Sequence, residues 1–153
     1  MKKKLLIAAV VLMAVIQFVP AAPPKSNPPS DAGRGFEQVM KPPPSVAAIL
    51  KRACYDCHSN ETKWPAYSYV APVSWLVQKH VADGRKQLNF SEWLLPEEKE
   101  FSDWSGFEKI CTEVNAGNMP MSGYVKLHPD AALSEGDSKT VCGWVNNKLP
   151  GPK

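Results

Sequence analysis

Ser45-Val46-Ala47-Ala48-Ile49-Leu50-Lys51-Arg52-Ala53-Cys54-Tyr55-Asp56-Cys57-His58 is the stretch that decides how this chain folds. Ser45 follows three prolines, Pro42, Pro43 and Pro44, and is a favourable residue to cap a helix. Val46, Ile49, Leu50 and Ala53 recur at helical spacing, so the segment predicts a short helix with one apolar stripe facing a core. That helix runs directly into two cysteines three positions apart, followed at once by a histidine.

C-x-x-C-H is the spacing of covalent c-type haem attachment. Two thiols so placed can each add to one vinyl group of a single haem, giving two thioether bonds. His58, the next residue, is then held where an imidazole nitrogen can bind the iron. Covalent tethering also prevents loss of haem from a domain too small to bury the whole macrocycle. Three other readings compete. A thioredoxin-type redox pair would be set in a βαβ pattern, and none surrounds it. Zinc prefers four ligands, and no second C-x-x-C or H-x-x-x-H follows. The last is a chance match, with Cys54 and Cys57 in a structural disulfide. The motif favours one haem c, bound by Cys54, Cys57 and His58.

Upstream, Lys2, Lys3 and Lys4 precede an apolar run from Leu5 to Val19. A basic start, an apolar middle and a small-residue exit describe a secretory signal over residues 1–21, with Val19 and Ala21 at the −3 and −1 positions. The run falls short of the roughly 20 apolar residues of a spanning helix, yet Pro20, Pro23 and Pro24 crowd the cleavage region, so a retained membrane anchor is the alternative. Either way the domain is expected outside the cytoplasmic membrane, in the periplasm. Residues 22–44 are expected to form a Pro-rich extended linker, since eight of the 15 prolines lie between Pro20 and Pro44. Residues 45–153 form the one foldable domain, which excludes a large α/β enzyme or a transmembrane bundle. The whole chain has 18 basic and 15 acidic residues. The basic excess is Lys2, Lys3 and Lys4, so the mature chain is formally neutral and gives no electrostatic case for nucleic acid.

Further helices follow from periodicity. One covers about residues 72–85, with Val73, Leu76, Val77, His80 and Val81 on one face and Gly84 as its stop. Ser91 is expected to cap a short helix after Asn89-Phe90. A long helical region spans about 96–116, with Phe101, Trp104, Phe107, Ile110, Cys111 and Val114 as core candidates, a possible break at Ser105-Gly106, and Gly117 as its end. Ser134 caps a last helix from Glu135 to about Lys148 that carries Val141, Trp144 and Val145. No β-alternation of useful length occurs. The expected fold is mainly α, a small cytochrome c-like helical domain.

A second axial ligand decides whether the iron is closed or open, and Met/His ligation suits electron transfer. Met119, in Gly117-Asn118-Met119-Pro120, is the first candidate, and Met121 its competitor. Two methionines in a polar loop fit core filling poorly. His80, on an apolar face, and His128, before Pro129, read better as structural. Trp64, Tyr67, Tyr69 and Trp75 are candidates to wall the haem or to form ordinary core. Arg85 either pairs with a propionate or is a solvated helix end. Glu97, Glu98 and Glu100 suit a helix start, and no catalytic constellation is legible. Cys111 and Cys142 remain once the haem motif has used its pair. In an exported chain they are expected to form a disulfide, closing a loop of about 30 residues worth roughly 3–4 kcal/mol.

The chain resembles the bacterial haem-binding domain family of exported single-haem proteins, which are similar to small c-type cytochromes. The matching stretches are Cys54 to Asn60, Trp64-Pro65-Ala66-Tyr67-Ser68, Ala71-Pro72-Val73-Ser74-Trp75, Gly84-Arg85, and Asn89 to Trp93. Gly117 to Pro120, and Tyr124 with His128-Pro129, match as well. The resemblance covers about residues 45–148. It implies haem held by Cys54, Cys57 and His58, with the Met-Pro element on Met119. Met121, Cys111 and Cys142 depart from the family pattern. The functional expectation is a one-electron carrier or relay with redox protein partners, and not an enzyme. The alternatives are a five-coordinate haem handling peroxide or a small gas, and a non-redox haem-binding accessory module.

Overall fold

The computed structural model describes residues 1–30, 33–93 and 105–149, and among these it is helical with no strand. The helices are α1 (Lys2–Ile16), α2 (Phe36–Met40), α3 (Pro44–Ala53), α4 (Tyr55–His58), α5 (Val73–Gln87), α6 (Ser105–Asn115), α7 (Ser122–Leu127) and α8 (Glu135–Lys148). Single 3-10 turns lie at Ala66–Tyr69 and Pro129–Ala131. The mainly α expectation holds.

α3 buries Val46, Ile49, Leu50 and Ala53, the four residues of the expected stripe. Its start differs from the expectation: Pro43 is the N-cap and Pro44 the first helical residue. A proline there forfeits no intrahelical hydrogen bond and brings a pre-set φ. α8 begins as expected. Ser134 accepts a hydrogen bond from the Asp137 backbone, and the Asp137 carboxylate accepts in return from the Ser134 backbone. Arg52, from α3, pairs with Asp137 at 2.7 Å and donates to the Asp130 and Ala132 carbonyls, tying the two helices together.

α6 packs on α8. Its end is a two-bond cap: Gly117 (φ 71°) donates to Val114 and Asn118 donates to Glu113. The upstream part of the expected long helix, with Phe101 and Trp104, lies outside the described residues, as do Glu97, Glu98 and Glu100. Phe107, Ile110 and Cys111 are buried. α7 had no counterpart in the sequence reading. Asn89 to Trp93 is a turn in which the Asn89 side chain accepts from the Ser91 backbone. Ser91 caps no helix there; its hydroxyl accepts from the Asn60 backbone.

The segment expected as a linker over 22–44 does not stand off from the domain. Phe36 and Met40 of α2 are 1% and 5% exposed and belong to the main core. The Phe36 ring lies 5.0 Å from Phe90, 4.9 Å from Trp93 and 5.7 Å from Trp144, centroid to centroid. Its backbone N–H donates to Phe90 at 2.8 Å. One aromatic side chain buries enough apolar area to anchor a segment whose average composition is linker-like.

α5 runs two residues past Arg85, and Gly84 is inside it rather than at its end. Gly84 is buried, and a Cβ there would stand 2.5 Å from the Cys57 carbonyl oxygen. Glycine permits the close packing of α5 on α4, which is why it occupies a helix interior where it otherwise costs stability.

Candidate functional site

The close approach at Gly84 fixes the C-x-x-C-H turn against the end of α5. His58 Nδ1 lies 3.1 Å from the Leu88 carbonyl oxygen, just past that end. A carbonyl only accepts, so Nδ1 carries the proton and the lone pair is on Nε2. Burial lowers the His58 pKa, while the backbone carbonyls of Leu88 and Gly84 work in the opposite direction. The ring is therefore held as a neutral, oriented imidazole, the form that binds a metal.

A polar latch supports this orientation. The Asn60 backbone donates to Ser91 Oγ at 2.9 Å, its side-chain amide donates to Glu92, and its side-chain oxygen accepts from Asn89 at 3.1 Å. Phe90 donates to the His58 carbonyl at 2.7 Å. Ser59 Oγ donates to Tyr55 and accepts from Glu61. The residues after the motif and those after α5 are thus joined by side-chain and backbone bonds across some thirty positions.

Cys54, Cys57 and His58 line a cleft of about 410 Å³, with Met119 and Met121 from the loop beyond α6. Ala53, Leu88, Phe90, Ile110 and Val114 give it apolar walls. His80 borders the same cleft and is partly exposed, so the expectation of a core histidine is not met. Both methionines reach the cleft; Met119 is 37% exposed. Burial, reinforced by the Cys57 charge, pushes the Cys54 thiol up to about 12, and burial pushes Cys57 up to about 11. A thioredoxin-type pair needs a lowered thiol pKa, and burial shifts both of these thiols the other way.

A second cleft, of about 550 Å³, shares Cys57, His80, Met121 and Tyr124 with the first. Its wall is the α5 face that carries Val73, Leu76, Val77 and Val81. Only Val81 of that face is buried; Val73 and Leu76 are exposed. The apolar face of α5 is therefore largely cleft wall. Tyr124 donates to Asp56 at 2.6 Å and stacks on His128 at 4.3 Å. His128 in turn shares a 2.6 Å hydrogen bond with Tyr67. Burial, with the neighbouring Asp56 carboxylate, pushes the Tyr124 hydroxyl far up, so it remains a donor.

Other candidates separate. Of the four aromatics that were candidates for haem wall or ordinary core, Tyr67 reaches a cleft, Trp64 donates to Asn27, Tyr69 is 63% exposed, and Trp75 is half-buried and lines neither cleft. Arg85 is neither a solvated helix end nor turned to the cleft. It donates to Ser59, Ser26, Asn27 and Thr62, bracing the loop that follows His58. Cys111 and Cys142 are free thiols in the structure, not the expected disulfide. They are nonetheless neighbours: burial first, then a hydrogen bond with Cys142, pushes Cys111 up to about 12. Well-packed protonated thiols behave as small apolar side chains.

The sequence reading missed the Leu88 carbonyl, the Asn60 latch and the Tyr124–Asp56 pair. Asn60 and Ser91 stood within motifs singled out for their resemblance, but nothing in the local sequence pairs them.

The residues fit a haem: two adjacent thiols, an oriented imidazole and thioether side chains around one apolar cleft. The family model described as Haem-binding domain matches residues 11–147, and the chain belongs to this haem-binding domain family. No curated protein and no solved structure matches the chain.

Proposed function

We propose that this protein is an exported one-electron carrier or relay that holds a single haem c. The observation that carries the proposal is the fixed His58 ring, with Nδ1 on Leu88, in a cleft that also receives Cys54, Cys57, Met119 and Met121. In this reading Cys54 and Cys57 form the two thioethers and His58 Nε2 binds the iron. Met119 would supply a sulfur as the iron's second protein ligand, with Met121 as its competitor. The bound haem supplies reversible one-electron chemistry, and the Met/His pair raises its potential. The chain's own residues orient the imidazole through Leu88, and exclude water with Phe90, Ile110 and Val114. Redox partner proteins are then the natural donors and acceptors.

The basic, apolar N-terminus supports export to the periplasm, with α1 either cleaved or retained. No helix among the described residues is long and apolar enough to cross a membrane. In an oxidising compartment Cys111 and Cys142 would join α6 to α8 by a disulfide, a reading supported by the hydrogen bond between their thiols. Mass spectrometry showing two alkylatable thiols in the mature protein would end that part of the proposal.

The main experiment is spectroscopic. A pyridine haemochrome of the matured protein should report two thioethers, and haem removable by acid-acetone would refute covalent attachment. Met119→Ala should abolish the sulfur-to-iron absorption band and lower the potential, while Met121→Ala leaves both nearly unchanged. The reverse result moves the ligand to Met121. A wild-type spectrum with no such band favours an open site for peroxide or a small gas.

A further inference from the structure

The N-terminal segment is clasped to the domain at several points. The Gln17 side chain makes two hydrogen bonds to Ala71, accepting from its N–H at 2.9 Å and donating to its carbonyl at 3.3 Å. Lys25 donates to Ser68 and lies 3.0 Å above the Tyr69 ring. Asn27 donates to Thr62 and accepts from Trp64 and Arg85. The end of α1 is therefore placed at the start of α5. Beside it stand exposed apolar side chains: Tyr69 (63%), Val70 (51%), Val73 (44%) and Leu76 (55%). α1 itself buries none of its residues.

We propose that this patch is a membrane-contact surface, seated on the same bilayer that α1 enters. The proposal rests on the export reading above, with α1 retained. Length carries it. The apolar part of α1, from Leu5 to Ile16, spans about 18 Å at 1.5 Å per residue, against a hydrocarbon core of about 30 Å. A helix this short thins the bilayer locally or draws its flanking residues into the boundary. Lys2, Lys3 and Lys4 flank one end with charge. At the other end the clasp puts Val70, Val73 and Leu76 next in line, with the Tyr69–Lys25 pair, a combination suited to the headgroup region. Gln17, the polar residue at the junction, has its amide satisfied by Ala71 and does not oppose insertion. Gln17 and Ala71 both lie within the region matched by the family model. Val73 and Leu76 also border the second cleft, so the contact would set that cleft beside the membrane.

The test uses the full-length holoprotein reconstituted in vesicles of phosphatidylcholine and phosphatidylglycerol. A photoreactive diazirine dissolved in the bilayer is activated, and its adducts are mapped by mass spectrometry. Residues 69–76 should be labelled several-fold above the exposed face of α8 around Lys139. Val70→Glu, which lies outside both clefts, should lower labelling of the segment to the α8 level with the haem spectrum unchanged. Adducts confined to α1, or a cell-derived protein that begins after residue 21, would overturn the proposal. Failure of the haem reading is seen separately, as an absent haemochrome, and leaves the labelling map intact.

Discussion

Gly84→Ala is the sharpest perturbation of the site, because two opposed effects of known size meet there. In an ordinary helix interior the change stabilises by about 1 kcal/mol. Here the new Cβ would lie 2.5 Å from the Cys57 carbonyl oxygen and 3.1 Å from its carbon, where ordinary contact begins near 3.4 Å. The obstacle is backbone, so no side chain can swing aside, and α5 must retreat by about 0.9 Å from α4. Overpacking of this kind costs roughly 1–3 kcal/mol, and a rigid neighbour puts it at the upper end. The net expectation is a loss of about 2 kcal/mol. The retreat also draws the Leu88 carbonyl away from His58 Nδ1. With His58 on the iron as proposed, a weaker bond there would make the imidazole a poorer donor to Fe(III) and raise the reduction potential. Urea unfolding of the holoprotein, followed by far-UV circular dichroism and by haem absorption, together with a redox titration, reads both effects. A variant stabilised by about 1 kcal/mol with an unchanged potential would show that helix propensity wins, and would refute the close packing of α5 on the haem motif.

Four further outcomes are expected. Phe36→Ala should cost about 3–5 kcal/mol in the same unfolding assay; a change under about 1 kcal/mol, within the range of surface substitutions, would return residues 33–41 to a linker. Asn60→Ala should destabilise by roughly 1–3 kcal/mol, since the Asn89 and Glu92 side chains lose a partner; its refutation is wild-type stability with wild-type haem content. Asp137 is held down to about 2 from 3.8, first by the Ser134 hydroxyl and backbone and then by Arg52. A depressed carboxylate contributes stability above its unfolded value and loses it as pH falls through the folded one. Stability should therefore decline from about pH 4 toward pH 2, and Asp137→Asn should flatten that slope; an unchanged slope would remove the ion pair from the account. In the same helix start, Ser134→Ala should cost about 1 kcal/mol.

The sequence by itself determined what is local. Val46, Ile49, Leu50 and Ala53 mark the buried face of α3 because residues three and four apart share a helix face. Ser134 followed by Asp137 marks the start of α8, and Gly117 the end of α6, because capping is settled within a few residues. Cys54, Cys57 and His58 lie close enough in the chain for the proposal of haem attachment to be drawn from spacing alone. What only the tertiary structure decided is what joins residues distant in the chain. Phe36 looked like linker because α2 has five residues, too few for a periodic signal, and prolines surround it. Gly84 looked like a helix stop because its partner is the Cys57 backbone, twenty-seven positions upstream. Arg85 offered a charge with no stated direction, and only the fold turned it to Ser59 and Thr62 instead of the cleft. The Leu88 carbonyl that orients His58 belongs to the backbone, which every residue carries, so no side-chain pattern could have announced it. Close approach, burial and hydrogen-bond pairing are properties of pairs, and a pair thirty residues apart leaves no trace in either residue's local sequence.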